Sequence, residues 1–168
     1  FCTRTGGLTR FHKPEILSAD QYFLETALDQ VKDGGVVSMI VHGGILNSSS
    51  HGAREFREKL LSRAEFVDAY RLPGEAFKHT HTSVVADVLV LRKRDSNVGD
   101  TLLNAQKRGD LEAVLGAFDG YDKELVVGNY FESRPERVLG TALTAVETGW
   151  RSTVTGDPEK IASSIEEL

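Results

Sequence analysis

The sequence has almost no cysteine, no surplus of positive charge and no long apolar run. Cys2 is the single cysteine in 168 residues, so neither an internal disulfide nor a cysteine-based zinc site can form. That usage fits a reducing, cytoplasmic compartment. No stretch approaches the roughly 18 apolar residues that a membrane span needs. The first residues lack the apolar core of a signal peptide. The formal net charge is -5. Stand-alone DNA-binding modules are usually basic, because neutralising phosphates supplies much of their affinity. This composition argues against strong DNA binding by the chain alone. It leaves room for a segment whose DNA grip lies elsewhere.

Other absences narrow the chemistry. Gly6-Gly7, Gly34-Gly35 and Gly43-Gly44 lack the strand-to-helix context and spacing of a cofactor-cradling loop. Ser48, Ser49 and Ser50 have no glycine-framed nucleophile geometry, which removes a hydrolase. His79 and His81, with Asp87 downstream, offer too few ligands for a convincing metal site. The first residue is Phe1, and residues 1–13 read as a loop rather than a domain start. The expectation is a piece of something longer.

What is present reads as α/β. Ser18 and Gln21 form a capping-box pattern, and Phe23, Leu24, Ala27, Leu28 and Val31 follow at helical spacing. Gly34-Gly35 is expected to end that helix. Val36 to Val41 is a compact, largely β-branched run, expected to be a central strand buried on both faces. Residues 47–52 read as a polar loop. Ala53, Phe56, Leu60, Leu61 and Ala64 mark a second amphipathic helix. Phe66 to Leu72 and Val84 to Leu91 read as strands, joined without a helical pattern and so expected to be antiparallel. Arg92, Lys93 and Arg94 read as a solvated strand end.

After Arg94 the character changes. Residues 95–100 read as a linker, and Thr101 to Phe118 as one or two short helices broken at Gly109. Tyr130 to Leu139 suggests a helical turn, and 141–156 a hairpin. Asp157-Pro158 starts a final helix. The expected division is 1–94 and 95–168.

From Tyr22 to Lys93 the succession resembles the second half of an adenine-N6 DNA methyltransferase. The pattern is a helix, Gly34-Gly35 with the strand to Val41, a polar loop, and the helix at Arg54 to Arg57. Ala69 to Pro73, Phe77 and the strand ending at Lys93 complete it. Type I modification subunits share this order. Residues 127–131 and 135–140 resemble a segment following the methylase in methylase-helicase polyproteins of phages and plasmids.

The resemblance implies a partial Rossmann-like sheet, its last three strands, followed by a mixed extension. It implies S-adenosylmethionine, bound by a missing N-terminal half, and DNA as partner of the full-length enzyme. That half, or another chain, would pair with strand 36–41. Phe1 falls where the aromatic residue of the family's catalytic loop would stand. Phe1 and Phe77 would then stack on a flipped adenine. A second possibility is non-enzymatic: an interaction or scaffold segment of a larger methylase-helicase or defence/anti-restriction assembly. The acidic charge, the missing catalytic motif and the extra region 95–168 favour it. A third is an RNA or protein methyltransferase sharing the sheet.

Overall fold

A computed structural model describes residues 18–74, 76–77, 84–142 and 154–155. Helix α1 (Ala19–Gln30) starts at the capping box read from the sequence. The Gln21 amide donates to the Ser18 hydroxyl at 3.3 Å, and the Ser18 amide to Gln21 Oε1 at 3.1 Å. The helix stops at Val31, ahead of the glycine pair, and Gly34 takes a left-handed φ of 75° in the turn that follows. Strand β1 (Val36–His42) comes next. A four-residue helix α2 (Gly44–Asn47) occupies the start of the expected polar loop. Helix α3 (His51–Arg63) is capped by Ser50, whose hydroxyl accepts from the Ala53 amide at 3.3 Å.

Strands β2 (Ala64–Leu72) and β3 (Ala86–Lys93) complete a three-stranded sheet of order β1-β3-β2. β3 runs antiparallel to both neighbours. The antiparallel relation of the last two strands is thus as the sequence indicated. The observed architecture is mixed α/β with a small antiparallel sheet.

Residues 96–100 are helical rather than a linker. Asp95 caps α4 (Ser96–Arg108), which ends at Gly109 with φ 81°, the break read from the sequence. Short helices α5 (Leu111–Leu115), α6 (Lys123–Val127) and α7 (Tyr130–Ser133) follow, then a 3-10 turn at Pro135–Arg137. The two-residue strands β4 (Thr141–Ala142) and β5 (Val154–Thr155) pair antiparallel, as expected of a hairpin. The opening loop, His79, His81 and the expected final helix lie outside the described residues.

One core cluster joins both parts of the chain. Leu24 and Leu28 of α1, Val37 and Val41 of β1, Leu60 and Leu61 of α3, and Leu89 and Leu91 of β3 sit with Leu102, Leu115, Leu125 and Phe131. All the helices that contribute lie on the same face of the sheet. The odd-numbered residues of β1 and β3 face this core, because side chains alternate along a strand.

Buried arginines stitch the layers. Arg57 is fully enclosed, with no carboxylate bonded to it. It donates to the carbonyls of Ile45 at 2.8 Å, Ser48 at 2.7 Å and Val126 at 2.9 and 3.1 Å. These carbonyls lie in α2, at its C-cap and near the end of α6, where helical carbonyls lack partners. Burial lowers the Arg57 pKa to about 10. Arg94 was expected in a solvated strand end, yet it is buried and donates to the carbonyls of Leu61 and Asp119. Buried Glu25 of α1 binds Arg63 and lies 3.6 Å from Lys59, tying α1 to α3.

Candidate functional site at the open edge of the sheet

The two edges of the sheet are finished differently. Along β2 the outer edge is covered by backbone. The Phe66 amide donates to the Gly120 carbonyl at 3.2 Å, and the Leu139 amide to the Arg71 carbonyl at 2.9 Å. Arg71 also forms a parallel bridge with Val138. Gly120 permits this approach: its φ is 74°, and an added Cβ would lie 2.7 Å from Glu65 Cβ.

Asp68 fastens the same covering segment. It lies beside a bulge in β2 and accepts from Tyr70 Oη at 2.9 Å and Tyr130 Oη at 3.1 Å. Arg137 reaches Asp68 at 3.1 Å and also donates to Tyr70 Oη. Burial, and then Asp68, raise the pKa of both tyrosines, so each keeps the proton it donates. Tyr130 meets Phe66 and Phe131 edge to face, with ring centroids 5.0 Å apart in each pair.

At the end of the sheet Arg71 forms a bidentate pair with Asp87, at 2.8 and 3.0 Å, beneath the Phe131 ring. Burial raises the Asp87 pKa against the pull of Arg71. Arg71 and Asp87 stand opposite each other on β2 and β3, so the pair links the two strands directly. Beside it His42 Nδ1 accepts from the Gly44 amide at 3.0 Å, which makes it part of a turn.

β1 is the other edge, and among the described residues it is open. The Gly43 amide donates to the Val85 carbonyl, and the Lys93 amide to the Gly35 carbonyl. In an antiparallel ladder hydrogen-bonded residues alternate, so odd positions of β1 bond β3 and even positions point outward. His42 conforms: its outward amide donates to Asp20 Oδ2 at 3.3 Å. The outward amides and carbonyls of Val36, Ser38 and Ile40 meet no partner among the described residues.

The face carrying these residues is also uncovered. Val36 is 57% exposed and Ile40 56%. Val88 and Val90, beside Ile40 and Ser38, are half-buried. The expectation that strand 36–41 is central and buried on both faces is therefore corrected. β1 is an edge strand with one buried face, and its continuous apolar run hid the alternation that burial imposes.

Of the residues expected to stack on a base, Phe77 lies just beyond β2 and is half-buried, outside the core cluster. Phe1 lies outside the described residues. The described residues therefore do not bring the two rings together. Among them no group of three or more histidine, cysteine or acidic side chains could hold a metal. No described helix is long and apolar enough to cross a membrane.

No family model and no solved structure matches this chain. An 81-residue stretch is 35% identical to "Defense against restriction protein B" of Escherichia phage P1. That stretch is 48% of this chain and only 4% of the phage protein. The matched relative carries an anti-restriction name, and no methyltransferase family was found. The resemblance to an adenine-N6 methyltransferase is corrected accordingly. S-adenosylmethionine and the stacking of Phe1 and Phe77 on a flipped adenine were implied by that resemblance alone.

Proposed function

We propose that this chain is a non-enzymatic interaction segment of a larger anti-restriction assembly, docking through the open edge and outer face of its sheet. The observation that carries the proposal is the asymmetry of the two edges. One is sealed by Gly120, Leu139 and the Asp68 cluster, while the other leaves three successive outward positions unpaired among the described residues, beside exposed apolar side chains. An unpaired edge is a template for another strand, and folded proteins commonly blunt it. Here Asp20 blunts only the His42 end. Main-chain bonds from such an edge give affinity, and alternate side chains give specificity.

The anti-restriction setting comes from the phage protein, whose name states defence against restriction. DNA is a poor candidate for the docked partner. The chain is acidic, and Arg54, Arg63, Arg71, Arg134 and Arg137 are already engaged with carboxylates.

Ser38→Pro tests the docking surface. Its outward amide bonds nothing in the sheet, and proline is tolerated on the solvent side of an edge strand. The variant is expected to fold but to be left out of the assembly, measured by co-purification against wild type. Normal incorporation of folded Ser38→Pro would overturn the proposal.

A further inference from the structure

We propose that the partner at this edge is a second copy of the chain, its β1 pairing antiparallel with β1 about a two-fold axis at Ser38. The inference rests on the docking reading above. A two-fold interface must be self-complementary, with each patch meeting its own copy. The outward positions meet that requirement. Pairing Ser38 with Ser38 sets Val36 of each copy against Ile40 of the other, all on the uncovered face. The three outward amides and carbonyls of each strand then find three of the other.

Two exposed apolar pairs become neighbours, and apolar cross-strand pairs are the stabilising unit of a sheet. Both sheets join into one of six strands, ending at each side in a sealed β2 edge. Charge agrees with the register. Gly34 of one copy falls opposite His42 of the other, which brings exposed Lys32 to the end where Asp20 sits. Opposite charges at matching ends favour this register over slipped ones. Shifting the axis by one residue would oppose inward-bonded positions that already serve β3.

The test is register-specific cross-linking. Cys2→Ser removes the native thiol, and Ser38→Cys then places two thiols at the axis. Hydrogen-bonded antiparallel pairs hold their Cα atoms about 5.5 Å apart, inside the roughly 4.4–6.8 Å range of a disulfide. Mild oxidation should convert most of this variant to a covalent dimer. Val36→Cys in the same background should not cross-link, because the two copies of position 36 lie four residues out of step, roughly 13 Å along the strand. Ile40→Lys, at an exposed position, should weaken the dimer at least about tenfold in sedimentation equilibrium.

A chain that is monomeric at roughly 50 µM, well above a micromolar dissociation constant, with no Ser38→Cys cross-link, would overturn the inference. So would equal cross-linking at positions 36 and 38. A monomer whose incorporation into the assembly still fails with Ser38→Pro would sink the second copy and keep the docking surface. A monomer indifferent to Ser38→Pro would sink both.

Discussion

Replacing Arg57 by lysine keeps the charge and removes the fork. The structure gives the size of the effect. Burial, with a smaller push from Arg54, lowers the Arg57 pKa from 12.5 to about 10, so the guanidinium has lost hydration that its bonds must replace. Against this stand its bonds to the carbonyls of Ile45, Ser48 and Val126. Hydrogen bonds from a charged donor contribute about 1.5–3 kcal/mol each, so losing even one is costly. An ammonium on a flexible stem is a compact point charge and cannot span all three carbonyls in one plane. Arg57→Lys keeps the desolvation and leaves at least one of these carbonyls without its donor. The expected loss is about 3 kcal/mol, a large part of the roughly 5–15 kcal/mol typical of a domain. In a chain of this size it lowers Tm by roughly 6–12 °C. Urea melts should show a lower midpoint with unchanged slope, the signature of lost stability rather than altered compactness. Stability within about 0.5 kcal/mol of wild type would refute the reasoning, because the bonds would then be replaceable by any cation.

Three further outcomes follow from the sealed edge and from one surface cap. Asp68→Ala should free the segment carrying Arg137 and Leu139 and speed exchange of the Leu139 amide at least about tenfold, while leaving the β1–β3 ladder protected. An unchanged Leu139 amide would mean that the Asp68 cluster holds nothing. Gly120→Ala should destabilise by more than about 1 kcal/mol, since it adds left-handed strain to a contact with Glu65; a neutral melt would contradict the close approach. Hydrogen bonds from Ser96 hold the Asp33 carboxyl below its ordinary value, with a smaller contribution from Lys93. A depressed carboxylate adds stability that is present above its ordinary pKa of 3.8 and lost as pH falls through the folded value. Asp33→Asn should therefore flatten the acid limb of the stability curve, and an identical limb would remove the role.

Local signals were the legible part of the sequence. The Ser18 capping box, the Gly109 break and the antiparallel return of β3 can be read from a few neighbouring residues. What could not be read depends on contacts distant in sequence. Val36 to Val41 is apolar at five of six positions, so its composition says buried; only the sheet order reveals that it is an edge with Val36 and Ile40 outside. Arg94 looks like solvent in a basic triplet, yet its carbonyl partners at Leu61 and Asp119 lie 33 and 25 residues away. Arg57 sits in a charged helix with nothing local to mark it as enclosed. Asp68 gathers Tyr130 and Arg137 across more than sixty positions. The resemblance to methyltransferases rested on the order of elements, each common alone, and that order did not identify a family. The interaction alternative rested on charge and on a missing motif, and the anti-restriction name of the phage relative fits it better than it fits a methyltransferase.

The central claim is that β1 keeps its outer edge open for a partner. Backbone amide exchange at single-residue resolution tests it most directly. In the dilute monomer Val37, Met39 and Val41 should be protected, and Val36, Ser38 and Ile40 should exchange fast. In the assembled state all six should be protected, with His42 little changed because Asp20 already holds it. Fast exchange at Val36, Ser38 and Ile40 that persists in the assembly would contradict the account.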